Sequence, residues 1–255
     1  MRKTINRFPL FRYMQQYFCD EPLQVGQIYK FTKEQAHHAG TVLRLDHEKV
    51  RLVYNEKGYF ATCYQENKKV FAMVNEEDKR VNELPCHITL AIALIRREKF
   101  EWILQKACEL GVHTILPFES SRCVVHARKE KADRQKERWN SILQSAAEQC
   151  KRNHIPKIQD IISFSQLQNY EADLKMCAYE NAYGNSLSVS ELYNGEKNVL
   201  VVIGPEGGFS EEEIEQLVQS DYSSCTLGSR ILRAETAAVY ALSVLGELSE
   251  RNKNK

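Results

Sequence analysis

The feature that most constrains this chain is a change of hydrophobic period near residue 85. Before it, residues 27–31, 49–54, 59–64 and 70–74 are short segments carrying aromatic and β-branched side chains. Gly26, residues 55–58 and residues 66–69 punctuate them with turn chemistry. Strands this short and this regularly spaced predict a small β-barrel. One helical piece interrupts, with Thr32 and Gln35 spaced as a capping box. After residue 85 the pattern changes. Residues 88–94 form a continuous apolar run, as a strand buried on both faces requires. Phe100, Ile103, Ala107 and Leu110 then recur at helical spacing, and Gly111 follows as a helix stop. Strand candidates at 113–118, 123–126, 174–179, 198–203 and 223–227 alternate with helices expected at 129–150 and 235–250. That alternation predicts an α/β fold with a mainly parallel sheet. Residues 75–85, with Glu76, Glu77, Asp78, Lys79, Arg80 and Pro85, read as a linker. The expected division is a β domain at 1–75, a linker at 76–85 and an α/β domain at 86–255.

Composition removes several classes. With 43% hydrophobic residues the chain can bury a core, so disorder is excluded as its main state. Lys+Arg is 35 and Asp+Glu is 34, so a nucleic-acid site must come from local clustering of charge. Such clusters exist. Arg2, Lys3, Arg7 and Arg12 form one, and Lys151, Arg152 and His154 another, while Arg122 stands by itself. Arg128, Lys129, Lys131, Arg134, Lys136 and Arg138 alternate with Glu130, Asp133 and Glu137, and read first as a solvated helix face with i,i+4 pairs. The longest apolar run, residues 88–95, is far below the roughly 20 residues of a membrane helix. No apolar segment follows the basic start, so no signal peptide is expected and the cytoplasm is the default location. No two of the eight cysteines are close enough for a CxxC pair, and they read as small buried hydrophobes. His37 and His38 are adjacent and face apart on a helix, a poor metal pair; no metal is expected.

Two segments carry candidate chemistry. In residues 201–213 an apolar strand runs into Gly204, Pro205, Glu206, Gly207 and Gly208, and Ser210 with Glu213 forms a capping box for the next helix. The C-terminal edge of a parallel sheet is where α/β proteins bind ligands. No Gly-Lys-Ser/Thr follows and the dinucleotide fingerprint is not met. Glu211, Glu212 and Glu213 would repel a phosphate, so a neutral or cationic ligand fits better. A tight turn without a ligand stands as the alternative. In residues 226–237 a strand again leads through Gly228 to a helix, with Arg230, Arg233 and Glu235 close together. That arrangement suits either anion recognition or a structural ion pair.

These two segments, GPEGGFS at 204–210 and LGSRILRAETA at 227–237, together resemble the bacterial small-subunit ribosomal RNA uridine N3-methyltransferases of the SPOUT class. HAGTVLR at 38–44, EWILQKACELGV at 101–112, SRCVV at 121–125, Arg138-Trp139 and EQCKR at 148–152 match in the same order. The resemblance implies an α/β SPOUT-type domain with a C-terminal trefoil knot, preceded by a small PUA-like β-barrel domain. It implies a homodimer acting on 16S rRNA of the small ribosomal subunit, with S-adenosyl-L-methionine as methyl donor and uridine N3 (position 1498 in the usual bacterial numbering) as acceptor. Ile203, Gly204, Pro205, Glu206, Gly207, Gly208, Leu227, Gly228, Ile231, Leu232, Arg233, Thr236 and Ala237 would then hold the donor. Arg233 or Arg230, Arg122 and Arg152 would act on the uracil or phosphate side, and Glu235 or Glu206 would serve as base or order an arginine or the loop, with water as the other base. A SPOUT enzyme acting on another RNA and a non-catalytic ribosome-binding factor are the two rivals.

Overall fold

The computed structural model describes residues 14–127, 130, 132–179 and 187–253. Arg2, Lys3, Arg7, Arg12, Arg128, Lys129 and Lys131 of the basic clusters therefore lie outside the described residues. The chain divides into two compact units. One runs to Asn82 and takes in Glu148–Asn153; the other comprises Glu83–Ala147 and His154–Lys255.

The first unit is built on β1 (Gln15–Phe18), β2 (Ile28–Lys30), β3 (Glu48–Tyr54), β4 (Lys57–Glu66) and β5 (Lys69–Asp78), in the sheet order β1-β3-β4-β5-β2. β3, β4 and β5 are antiparallel neighbours. They are joined at Asn55-Glu56 and Asn67-Lys68, all four with φ between 46° and 62°. Positive φ at both central residues is the hairpin turn whose twist matches the strands. Val50, Leu52, Ala61, Cys63, Ala72 and Val74 alternate inward and meet Tyr17, Tyr29 and Phe31. Before β3 comes α1 (Lys33–Ala36), with the Thr32–Gln35 capping box in place. A π-helical turn, His37–Val42, follows it. His38 is a satisfied polar residue there, with Nδ1 3.1 Å from the Tyr17 hydroxyl.

One expectation is corrected in this unit, and one strand goes beyond those expected. β1 was not legible, because its four residues pair parallel with β3, a non-local partner. β5 continues through Asn75, Glu76 and Glu77 to Asp78, residues whose charge reads as linker. Glu76 and Glu77 are exposed strand positions, and Asp78 is drawn inward by an arginine. Arg51 on β3 is 1% exposed. Its guanidinium donates to Asp78 Oδ2 at 2.8 Å, Gln16 Oε1 at 2.7 Å and Asn153 Oδ1 at 2.5 Å. A Cβ at Gly58 would collide with that guanidinium, so the hairpin approaches it only as glycine.

The second unit is α/β. Its strands are β6 (His87–Ala93), β7 (Thr114–Glu119), β8 (Lys157–Ile158), β9 (Ile162–Ser163), β10 (Leu174–Ala178), β11 (Leu187–Ser188), β12 (Asn198–Ile203) and β13 (Ser223–Thr226). Every pairing among them is parallel. The order is β11-β13-β10-β12-β6-β7-β8, with β9 also on β7. β12 and β6 are central, and Ile88, Leu90, Ile92, Val199, Val201 and Ile203 are each at most 2% exposed, as their continuous apolar runs predict. The helices are α2 (Arg97–Glu109), α3 (Ala132–Cys150), α4 (Val189–Leu192), α5 (Glu211–Gln219) and α6 (Ala234–Lys253). α2 buries Phe100, Ile103, Leu104, Ala107 and Cys108, and Gly111 stops it with φ +88°. Phe100 packs on Trp139 of α3 with ring centroids 4.7 Å apart.

The strand expected at 123–126 does not form. Cys123 instead closes a turn, donating its N–H to Ser120 O at 3.2 Å while its sulfur accepts from Ser120 N. The basic run finds partners off its own helix: Lys136 pairs with Asp160 at 2.6 Å, and Arg138 grips Glu101 at 2.5 and 2.7 Å. Hydrogen bonds from Arg138 lead the effects that hold the Glu101 carboxyl at a pKa of about 2. All eight cysteines are free thiols, six of them buried. No described helix is long and apolar enough to cross a membrane.

Candidate active site

Three strands of the second unit end side by side, β12, β10 and β13. Their C-terminal ends open a pocket. It lies at the strand edge where parallel sheets bind ligands. Ala178, Ile203 and Thr226 end these strands, Tyr179 follows β10, Gly204 and Pro205 follow β12, and Leu227 and Gly228 follow β13, all lining the pocket. Gly208, Phe209, Arg230, Leu232, Ala234 and Ala237 complete the wall. Of the residues expected to hold a donor, Ile203, Gly204, Pro205, Gly208, Leu227, Gly228, Leu232 and Ala237 line this pocket. Arg230, expected on the acceptor side, lines it too. Glu206, Gly207, Ile231, Arg233 and Thr236 lie in the same two segments but not in the wall. Ile231 is 78% exposed, an apolar side chain in the open.

The loop after β12 is glycine-rich for stated reasons. A Cβ on Gly204 would stand 3.1–3.3 Å from three atoms of the Phe209 ring, which is itself buried against Phe118 and Phe164. Gly208 holds φ +67°, in the left-handed region. The start of α5 is capped as the sequence predicts: Ser210 Oγ accepts from Glu213 N at 3.1 Å, and Glu213 Oε2 accepts from Ser210 N at 3.0 Å. Glu213 Oε1 also accepts the Ser121 N–H at 2.9 Å, which ties the turn after β7 to the same loop. Arg122 in that turn donates Nη1 to the carbonyls of Gly207 and Phe209, at 3.2 and 3.1 Å. Arg122 thus grips the glycine loop by its backbone.

Arg233 is exposed just before α6, and its carbonyl accepts from Ala237 N. Glu235, in the first turn of α6, meets Lys99 of α2, whose ammonium also meets Glu206. Arg152 is 3% exposed and belongs to the first unit, where its carbonyl accepts from Gln16 Nε2 at 2.7 Å. The geometry therefore gathers Arg122, Arg230, Arg233 and Glu235 around the two loops in one unit. Lys99, Tyr179 and Phe209 were missed in the sequence. Lys99 sits in an ordinary amphipathic helix start, and nothing local marks it.

What the arrangement can do follows from its lining. Backbone amides and carbonyls of the glycine loop, with apolar Ile203, Leu227, Leu232 and Ala237, suit a flat heterocycle and a ribose. The helix behind the loop opens with three carboxylates, which disfavours a polyphosphate. Among the described residues no three His, Cys, Asp or Glu converge as metal ligands.

A family model described as an RNA methyltransferase domain matches residues 82–246. Ribosomal RNA small subunit methyltransferase E of Bacillus subtilis is 37% identical over 251 residues, covering 93% of this chain and 98% of its own. The protein of that name from Neisseria gonorrhoeae, solved bound to S-adenosylmethionine, superposes with a TM-score of 0.85 at 29% identity, over 92% of this chain and 98% of its own. A methyltransferase of Legionella pneumophila, solved with its cofactor S-adenosylmethionine, gives 0.84 at 33% identity over the same shares.

Proposed function

This chain belongs to the RNA methyltransferase family of ribosomal RNA small subunit methyltransferase E, and from that premise we propose that it methylates N3 of one uridine of 16S rRNA, position 1498 in the usual bacterial numbering. The methyl donor is S-adenosylmethionine. The observation that carries the reading is the pocket at the ends of β10, β12 and β13, walled by both of the segments that resemble this family. Its glycine loop, apolar walls and lack of a phosphate-binding lysine fit an adenosine and a sulfonium.

When bound, the donor supplies a methyl group made electrophilic by the adjacent sulfonium. The residues of the chain do the rest. Gly204, Gly208, Leu227 and Leu232 would enclose the donor, and Arg122 holds the glycine loop in place through the Gly207 and Phe209 carbonyls. Holding the two reactants in line is worth several kcal/mol of barrier. Uracil N3 must lose its proton as the N–CH3 bond forms and the C–S bond breaks. Arg230 and Arg233 carry donors that would stabilise the charge gathering on the uracil oxygens. An arginine cannot itself take the proton. Glu206, Glu235 and water are the candidate acceptors. The uridine leaves its stack to reach the pocket, as base-modifying enzymes require.

The finer architecture follows the same reading. A PUA-like barrel in the first unit would hold RNA, and a trefoil knot would form as the segment after β13 threads back. The placement of β13 beyond β10, with α6 returning onto β12 and α2, supports that path. A homodimer would cover apolar Ile231 beside the pocket. The test is transfer of labelled methyl groups to small ribosomal subunits lacking the modification, followed by nucleoside mass analysis. The expected product is 3-methyluridine at one site. A methylated product at another RNA would favour the wider SPOUT reading, and absence of donor binding would favour the non-catalytic factor.

A further inference from the structure

Lys99 is the third residue of α2, on a helix anchored by Phe100 and Ile103, which are 2% and 1% exposed. Its ammonium stands 3.7 Å from Glu206 Oε1 and 3.5 Å from Glu235 Oε1. Glu206 belongs to the glycine loop after β12. Glu235 lies between the pocket-lining Ala234 and Ala237. One cation therefore sits between the two segments that form the pocket wall. The other oxygen of Glu235 is buried and has no hydrogen-bond partner among the described residues. A carboxylate so placed depends on the nearby charge that it does have. Without Lys99 the two carboxylates would lose the cation they share, and their like charges would repel.

We propose that Lys99 is a positioning residue of the donor site: by bridging Glu206 and Glu235 it holds the glycine loop and the start of α6 at the separation the donor requires. The inference rests on the donor-site reading of the pocket. Lys99 touches no reacting atom in this account. It acts through the two carboxylates, and its three groups are each partly exposed, so the bridge is weakened by salt.

The experiment uses the full chain. Calorimetry with S-adenosylmethionine is run on the wild type, Lys99→Met, Lys99→Arg and the double variant Lys99→Met/Glu206→Gln. Hydrogen exchange of residues 204–209 is followed without donor, and melting temperatures are recorded. Lys99→Met is expected to weaken donor binding about tenfold, the sum of two partly exposed ion pairs. Amide exchange in 204–209 should rise in the free protein while the melting temperature stays within about 2 °C. Lys99→Arg should restore most of the affinity, and Glu206→Gln should recover part of it by removing the repulsion. Raised salt should weaken donor binding in the wild type more than in Lys99→Met. Wild-type binding with Lys99→Met unchanged in both affinity and exchange overturns the positioning role alone. A double variant no better than Lys99→Met also overturns it. No donor binding by the wild type overturns the donor-site reading, and this role with it.

Discussion

Arg51 offers the sharpest quantitative test of how the first unit is held. Its guanidinium and the Asp78 carboxylate are 1% and 2% exposed, 2.8 Å apart. Replacing Arg51 with methionine keeps much of the volume but removes its hydrogen bonds to Asp78, Gln16, Asn153 and the Lys151 carbonyl. Gln16 Oε1 and Asn153 Oδ1 each lose a donor, and Asp78 keeps the Arg80 fork at 2.8 Å. Because Arg80 still neutralises the carboxylate, the loss should fall at the lower end of that for a broken buried pair, about 3 kcal/mol. Burial by itself would raise the Asp78 pKa, but hydrogen bonds from Arg80 and then Arg51 outweigh it and hold it at about 2, against 3.8. That difference corresponds to about 2 kcal/mol of pH-dependent stability. A depressed carboxylate contributes fully above its unfolded value, so this part is present at pH 5 and is lost as pH falls from about 4 through 2. The assay is hydrogen exchange of β3, β4 and β5 in increasing urea, at several pH values, for the wild type, Arg51→Met and Asp78→Asn. Protection in these strands should drop by about 3 kcal/mol in Arg51→Met at neutral pH. The wild-type advantage over Asp78→Asn should shrink on acidification. A loss under about 1 kcal/mol in Arg51→Met, or a gap to Asp78→Asn that is flat from pH 5 to 2, would refute the reasoning.

Three further outcomes concern the pocket. Gly207→Val should lower donor affinity at least tenfold, because even its Cβ would stand 3.3 Å from Arg122 Cβ and 3.5 Å from the Arg122 carbonyl; calorimetry reads this directly, and unchanged affinity would sink the account of the loop. Arg122→Ala frees two loop carbonyls at an exposed site, so donor affinity should fall about threefold to tenfold with the melting temperature nearly constant. Arg233→Ala, at an exposed position, should abolish methyl transfer while leaving the fold intact; circular dichroism with a single-turnover assay checks both, and wild-type turnover would remove Arg233 from the site.

Much of the second unit was legible because its signals are local. The 198–203 strand appears with those bounds, the Ser210–Glu213 box caps α5, and Gly111 ends α2 with a positive φ. Each depends on residues within one turn or one strand. The failures share a different cause. Cys-Val-Val at 123–125 has strand propensity, yet hydrogen bonds between Ser120 and Cys123 make a turn of its start. Glu76 and Glu77 look like linker, yet they pair across β4 with Phe60 and Tyr59. Propensity is a weak prior beside such pairings.

Legible in the residues alone were the strand at 198–203, the caps of α1 and α5, the switch from period-two to helical patterning, and the two glycine-containing segments that follow β12 and β13. Those properties are carried by neighbours in the chain, where spacing and backbone sterics suffice. Tertiary packing brings the two segments to one pocket, lets Arg122 clamp a loop 85 residues away, and sets Lys99 between Glu206 and Glu235. It also decided that Arg51 is buried with Asp78 and Asn153 as partners. Charged side chains carry no periodic signature of their partners. Which carboxylate a lysine or arginine meets is set by the order in which strands and helices lie beside one another, and that order comes from packing.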